Sequence, residues 1–291
     1  MSTPITLENI TIHPVIEQQA PFFDPLVFFP TLTKELLEEN RSWLEPDCLD
    51  PKTGQIVLCV QSYVIKTPHH NILIDSCVGN HKPRTARPFW HMLHSDRFER
   101  SLRATGLGFD DIDYVMCTHL HGDHVGWNTR LDNGRWVPTF PNAKYVMADR
   151  ELAYWTQREK DDAASCPWIT DSVLPIVAAK REQVVTSDFA FDDAVRLTPT
   201  PGHTIDHFSV LVGRSGRDAF ITGDMIHSPL QGKYPEMGMR VDYDSAQAGR
   251  TRRTVFDRYC DGDTLFFLSH FPAPSIGRVR RWGDGFKFVA A

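Results

Sequence analysis

The segment THLHGDHVGWN holds three histidines and one aspartate within six positions, a density typical of metal binding. The four residues are His119, His121, Asp123 and His124. In an extended backbone, alternate side chains point to the same side, so the first two imidazoles can bind one metal ion. Gly122 lets the backbone turn and direct Asp123 and His124 toward a second ion. The spacing therefore predicts two ions, but the segment supplies only two ligands for each, whereas zinc needs three or four.

Further metal ligands are predicted at the ends of three apolar segments later in the chain. The candidates are His203 after AVRLTPT, Asp224 at the end of DAFITGD and His270 at the end of LFFLSH. Each is a residue type that binds metals, and open α/β sheets place their sites at the C-terminal ends of strands. With these three residues the chain has enough donors for two ions.

The elements that must position these residues are short strands and helices. IVLCVQSYVI and NILID flank the turn TPHH and predict a β-hairpin, and DYVMCT, AVRLTPT, DAFITGD and LFFLSH predict further strands. Helices are predicted for DRELAYWTQREK, with Asp149 as N-cap, and for DSAQAGRTRRTVFDRYC, which starts at Asp244. Strands mixed with helices on this scale indicate an α/β fold.

The first 55 residues have a different composition. PFFDPLVFFP carries four phenylalanines and three prolines, which predicts neither a central strand nor a helix. Because no repeat or low-complexity tract divides the chain, we expect one domain over residues 1–291. Residues 1–55 are then an arm packed on the core, or a lid or dimer contact over an active-site mouth. Seven aromatic residues are candidates for either an apolar pocket or the core: Phe22, Phe23, Phe28, Phe29, Trp90, Trp127 and Trp168.

Composition narrows the class of protein. The chain has 291 residues, of which 41% are hydrophobic and 23% charged, as in soluble globular proteins. Its net charge of −6 argues against nucleic acid as a partner, because a phosphate-binding surface normally carries a basic excess. The sequence shows neither a targeting segment nor an apolar run of about 18 residues, so we expect a cytoplasmic protein without a membrane partner. The six cysteines form no CxxC pair, which predicts reduced thiols.

The set of motifs resembles the metallo-β-lactamase-fold hydrolase superfamily. The resemblance rests on HxHxDH, followed in order by PGHT with His203, TGD with Asp224 and SHF with His270. It extends from about Val57 to the C-terminus. The resemblance implies a four-layered αββα sandwich with the metal ligands on loops at one edge.

The resemblance also implies how the ligands are shared. The first ion would be bound by His119, His121 and His203, and the second by Asp123, His124 and His270. Asp224 would bridge the two ions, which are expected to be zinc, with manganese, cobalt or iron as alternatives. Asp75, at the end of NILID, would support a metal-binding histidine, and His207 is a further candidate for that role.

The expected reaction is hydrolysis by a metal-bridging hydroxide, since metal binding lowers the pKa of water from about 15.7 to about 7. HVGWN, GDMIHSP and AQAGRTRRTVFDRY are most similar to the lactonase branch that hydrolyses N-acyl homoserine lactones, the quorum-quenching type. We expect Asp123, Asp224 and His227 to take part in catalysis. His227 stands where such lactonases often carry a tyrosine. It can donate a hydrogen bond to the substrate or pack away from the site.

Several alternatives remain open at this point. The same resemblance covers organophosphate or aryl esterases and glyoxalase II-like thioesterases. A mononuclear iron persulfide dioxygenase is the alternative from another enzyme class, and a binding module without catalysis is a third. The expected partner is a small-molecule substrate, and a homodimer is left open.

Overall fold

The computed structural model describes residues 4–214 and 218–291, and it divides the chain into two compact units. Unit 1 comprises Met1–Gln18 and Val60–Thr186, and unit 2 comprises Gln19–Cys59 and Ser187–Ala291. Within the described ranges, no helix is both long enough and apolar enough to cross a membrane.

The strands and helices are short and alternate along the chain. The strands are β1 (Ile5–Leu7), β2 (Ile10–Phe23), β3 (Ile56–Lys66), β4 (Asn71–Ile74), β5 (Tyr114–Met116), β6 (Thr129–Asp132), β7 (Arg135–Pro138), β8 (Lys144–Ala148), β9 (Glu182–Val185), β10 (Val195–Pro199), β11 (Phe208–Val212), β12 (Ala219–Ile221), β13 (Leu265–Phe267), β14 (Ile276–Trp282) and β15 (Gly285–Ala290). The helices are α1 (Pro25–Phe28), α2 (Lys34–Leu44), α3 (Arg97–Arg103), α4 (Asp149–Asp161), α5 (Pro167–Ser172), α6 (Leu174–Ala178), α7 (Pro229–Lys233) and α8 (Ser245–Tyr259). The mixture confirms the predicted α/β class.

Unit 1 is built mainly on a seven-stranded sheet in the order β1-β2-β3-β4-β5-β8-β9. β3 and β4 form the predicted antiparallel hairpin. β4 and β5 are parallel, with Ile74 opposite Met116, so both strands end at the same edge of the sheet. Asp75 follows the first of these ends and the histidine motif follows the second, which brings them together.

Unit 2 contains a six-stranded sheet in the order β10-β11-β12-β13-β14-β15. β12 and β13 are parallel, with Ile221 opposite Phe267. β10 and β12 both pair antiparallel with β11, so β10 runs in the same direction as β12. His203, Asp224 and His270 therefore all follow strand ends at one edge, as predicted.

The N-terminal aromatic segment forms regular structure, so the expectation of neither strand nor helix is wrong. β2 continues to Phe23 and is followed directly by the one-turn helix α1. The proline at the first position of α1 costs no hydrogen bond, because that N–H has no helical partner. Asp24 caps the helix by accepting a hydrogen bond from Leu26 N at 2.8 Å. Phe28 and Phe29 are buried in an apolar cluster of unit 2 that also includes Leu37, Leu58, Leu230 and Met237.

The predicted helix starts are accurate to one residue. Asp244 caps α8, and its carboxylate accepts a hydrogen bond from Gln247 N at 2.9 Å. Asp149 is not the N-cap of α4, because Ala148 occupies that position. Asp149 instead lies in the first turn, where its charge interacts favourably with the helix dipole. None of the six cysteines forms a disulfide in the described residues, and the reduced state stays a prediction.

Candidate metal centre

Asp75 orients the histidine motif of unit 1. Its carboxylate accepts hydrogen bonds from Thr118 N at 2.8 Å and from Thr118 Oγ1 at 2.9 Å. It also lies 2.9 Å from His124 Nδ1, as the resemblance implied. His119 Nδ1 lies 3.0 Å from Thr118 Oγ1. Because Nδ1 of both rings is engaged in this way, Nε2 is the nitrogen available to a metal.

The glycine in HVGWN permits a close crossing of two loops in unit 1. Gly126 N donates to Cys77 O, and Trp127 N donates to Ser76 O, both at 2.8 Å. A Cβ atom at Gly126 would lie 1.8 Å from Val78 O, far inside van der Waals contact. Only glycine therefore allows the segment after the histidine motif to pair with the segment after β4.

Glu17 supports the same two loops from the buried face of β2. Its carboxylate accepts hydrogen bonds from Val78 N at 2.9 Å, Gly79 N at 3.3 Å and Trp127 Nε1 at 2.6 Å. Trp127 also stacks on Phe98 with ring centroids 5.0 Å apart, so it belongs to the core. Burial raises the pKa of the Glu17 carboxyl to about 7, although its three hydrogen-bond donors oppose the shift.

We expect this carboxyl to make stability depend on pH. Its pKa rises from 4.5 to about 7 on folding, so the folded state binds the proton more tightly. The free energy of unfolding should therefore decrease by about 3 kcal/mol as pH rises from about 4.5 to about 7, and then level off. Glu17→Gln removes this titration. Urea unfolding at several pH values should show the variant gaining about 2 to 3 kcal/mol relative to the wild type between about pH 5 and pH 8.

The matched control is Glu39→Gln, at an exposed glutamate on α2. Its unfolding free energy should follow the wild-type pH profile. Parallel profiles for Glu17→Gln and the wild type would contradict the predicted titration.

Asp224 is the centre of the ligand cluster in unit 2. Its carboxylate lies 3.2 Å from His203 Nε2, 3.0 Å from His227 Nε2 and 2.9 Å from His270 Nε2. All four side chains are almost fully buried. The ligand atoms of Asp224, His227 and His270 lie within 4.8 Å of one another. One carboxylate surrounded by imidazole nitrogens is a donor set that suits zinc and related divalent ions.

The opposite nitrogens of the unit 2 imidazoles have partners of their own. His203 Nδ1 lies 2.9 Å from Asp242 Oδ1, and His270 Nδ1 lies 2.9 Å from Cys59 O. His207 Nε2 accepts a hydrogen bond from Asp224 N at 2.9 Å, consistent with its predicted supporting role. These contacts direct Nε2 of His203 and His270 toward Asp224. The residues of unit 2 therefore fit a divalent metal in ligand type, orientation and support.

His227 lies against Asp224 and does not pack away from it. Because a carboxylate only accepts hydrogen bonds, His227 Nε2 must be the donor, which leaves Nδ1 as an acceptor in the neutral ring. Among the described residues this buried Nδ1 has no hydrogen-bond partner. Burial lowers the pKa of His227 to about 4, against the opposing charge of Asp224, so the ring is neutral at neutral pH. This tautomer presents an acceptor at Nδ1 and not the donor expected from the sequence.

His203 has the opposite electrostatic environment. Burial lowers the pKa of its imidazole, but the hydrogen bonds and charges of Asp224 and Asp242 outweigh burial and raise the pKa to about 9. Asp242 was not among the residues predicted from the sequence. It lies in an irregular segment between α7 and α8, and no motif or strand end marks it.

A sequence profile of the metallo-beta-lactamase superfamily matches residues 57–270. The chain belongs to the metallo-beta-lactamase superfamily. The match covers most of the chain and includes all seven predicted ligands. At the level of the superfamily, it confirms the expected metal-dependent hydrolase.

Individual relatives within the metallo-beta-lactamase superfamily are distant. The Bacillus subtilis protein YobT is 30% identical over 115 residues, which are 39% of this chain and 46% of YobT. An N-acyl homoserine lactonase of Bacillus cereus is 26% identical over 165 residues, which are 53% of this chain and 58% of the lactonase. The chain thus spans about half the length of the curated relatives it matches.

Two solved structures are similar to the whole chain. The hydrolase AbOPH, of the beta-lactamase superfamily, has a TM-score of 0.82 at 21% identity. The superposition covers 99% of this chain and 96% of the AbOPH chain. AidC, a dizinc quorum-quenching lactonase, has a TM-score of 0.80 at 18% identity, with 99% and 97% covered. At these identities the similarity shows the metallo-beta-lactamase fold.

Proposed function

We propose that the protein is a dinuclear metal-dependent lactonase that hydrolyses N-acyl homoserine lactones. The observation that carries the proposal is the Asp224 carboxylate with three imidazole Nε2 atoms within 3.2 Å. The proposed ligands are His119, His121 and His203 for one ion, Asp123, His124 and His270 for the other, and Asp224 for both. Zinc is the proposed metal, because imidazole nitrogen and carboxylate oxygen are common zinc ligands.

When bound, two divalent ions would supply an activated water at neutral pH and polarise the carbonyl oxygen of the substrate. Hydrolysis adds water to the carbonyl carbon and breaks the bond to the ring oxygen, which must gain a proton. We propose that the Asp123 carboxylate accepts a proton from the attacking water and passes it to this ring oxygen, because its side chain is 14% exposed and so more accessible than that of Asp224, at 3%. His227 holds Asp224 through Nε2 and offers Nδ1 as an acceptor to water or substrate.

The choice of a lactone is supported by the curated relatives. Several N-acyl homoserine lactonases of Bacillus are about 26% identical to this chain over 121 to 165 residues. Apolar side chains border His227 in unit 2, where the ring of Phe28 lies 5.8 Å from that of His227 and stacks on Phe23 at 4.9 Å.

A substrate panel tests the proposal. The zinc-loaded protein should hydrolyse N-acyl homoserine lactones with a higher kcat/KM than aryl esters, phosphotriesters or S-lactoylglutathione. Protein stripped with a chelator should lose this activity and regain it when zinc is restored. The absence of turnover for every lactone in the panel would contradict the proposed substrate class.

Metal analysis separates the proposal from the iron dioxygenase alternative. About two zinc, manganese or cobalt ions per chain are expected for the proposed hydrolase. One iron per chain, together with oxygen consumption in the presence of a persulfide, would contradict it.

A further inference from the structure

The backbone N–H and C=O of Leu120, which belong to two successive peptide units, are each held by a side chain from a helix. Leu120 N donates to Glu151 Oε1 at 3.2 Å, and Leu120 O accepts a hydrogen bond from Trp168 Nε1 at 2.6 Å. Glu151 belongs to α4 and is buried, and Trp168 belongs to α5. The same Glu151 oxygen accepts a hydrogen bond from Trp155 Nε1 at 2.7 Å.

Leu120 is the residue between the first two histidines of the motif, so its backbone orientation sets the directions of both rings. Two tryptophan rings also pack against one of these histidines. The His121 ring lies edge-on to Trp155 at 5.4 Å and to Trp168 at 6.3 Å. Rotation of the peptide unit between His119 and Leu120 would break the hydrogen bond to Glu151, and rotation of the unit between Leu120 and His121 would break the one to Trp168.

The helix that carries Trp168 is itself anchored by a buried ion pair. Arg84 donates two hydrogen bonds to the carboxylate of Asp171 in α5, at 2.7 and 2.9 Å. The Lys82 ammonium lies 3.6 Å from the same carboxylate and donates to Thr129 Oγ1 at 2.6 Å. Trp168 is therefore held in place independently of its contact with Leu120.

We propose that Glu151 and Trp168 are positioning residues that fix the two peptide units on either side of Leu120, so that His119 and His121 bind the same metal ion. This inference rests on the ligand assignment in the proposed function. Neither residue touches a reacting atom. Their effect is to remove the freedom of the backbone between two ligands, so that less conformational entropy is lost when the metal binds.

Zinc affinity and a cobalt spectrum test the inference without an activity assay. The variants are Glu151→Leu, which removes the acceptor, Glu151→Gln, which keeps an oxygen in its place, and Trp168→Phe, which removes only the donor and part of the ring. The control is Glu159→Gln, since Glu159 also lies on α4 and bonds Thr170 of α5 at 3.0 Å without contacting Leu120. Zinc dissociation constants are measured by competition with a chromophoric chelator, and absorption spectra are recorded for the cobalt-loaded proteins.

Glu151→Leu should weaken zinc binding by about 10- to 100-fold, and Trp168→Phe by about 10-fold, with altered cobalt spectra. Glu151→Gln and Glu159→Gln should keep wild-type affinity and spectrum. If Glu151→Leu does not fold, Trp168→Phe decides the question.

The inference would be overturned if Trp168→Phe, and Glu151→Leu where it folds, kept the wild-type zinc affinity and cobalt spectrum. It would also be overturned if Glu151→Gln weakened zinc binding as much as Glu151→Leu does. If the wild type binds two zinc ions and the variants bind zinc with the same affinity, this inference is refuted while the proposed function stands. A wild type that binds no metal would refute it together with the proposed function.

Discussion

Replacing Asp224 by alanine is expected to reduce hydrolysis by at least about 10³-fold and to lower the metal content of the purified protein. In the described part of unit 2, Asp224 is the one carboxylate that lies within 3.2 Å of all three imidazoles, those of His203, His227 and His270. Without it, three buried imidazoles lose their shared anion, and the proposed metal centre loses a ligand. A water without metal has a pKa near 15.7 and supplies little hydroxide at neutral pH.

Metal content and kcat/KM should be measured together for this variant. Asp224→Asn separates charge from shape, because it keeps an oxygen but not the negative charge. The control is Asp257→Asn, at an exposed ion pair with Arg281 that is expected to contribute little. Near wild-type activity in Asp224→Ala would rule out a bridging role for this residue.

Replacing His227 by alanine is expected to lower kcat by about 10- to 100-fold while two metal ions remain bound. The change removes the hydrogen bond to Asp224 at 3.0 Å and the acceptor at Nδ1. His227→Gln keeps an amide donor and should recover part of the rate. The measurement is kcat with the best substrate of the panel, alongside metal analysis of each variant.

Two results would change the role assigned to His227. An unaltered kcat in His227→Ala would remove the residue from the mechanism. The loss of one metal ion would make it a ligand, because its Nε2 lies as close to Asp224 as those of His203 and His270. The exposed Asp257→Asn variant again serves as the control, because its ion pair with Arg281 is expected to contribute little.

The candidate ligands could be predicted because each follows a short apolar strand. Residue type and position after a strand were sufficient to select His203, Asp224 and His270, and the hairpin before Asp75 was equally clear. The superfamily profile covers the same stretch of the chain. The assignment of these residues to two ions remains a prediction from the resemblance.

Two further supporting residues, Glu17 and Glu151, were not predicted from the sequence. Glu17 and Glu151 are far from the histidine motif in sequence, and their role depends on contacts that only the folded backbone creates. Glu17 does break the apolar pattern of the buried face of β2, which is a usable signal of a buried carboxylate with a specific partner. The N-terminal prolines do not prevent regular structure, because a proline at the start of a helix is tolerated where one in its interior is not.

β12 and β13 pair in parallel, and this pairing sets the positions of the two ligands that follow them. The distance between those ligands therefore does not depend on the length of the chain that connects the strands. Ile221 and Phe267 lie opposite each other in the register of the two strands, and Asp224 and His270 each follow three residues later. The number of residues in the 228–264 segment, which contains α7 and α8, therefore does not set the distance between these two ligands. Insertions or deletions in its loops are compatible with an unchanged Asp224–His270 pair.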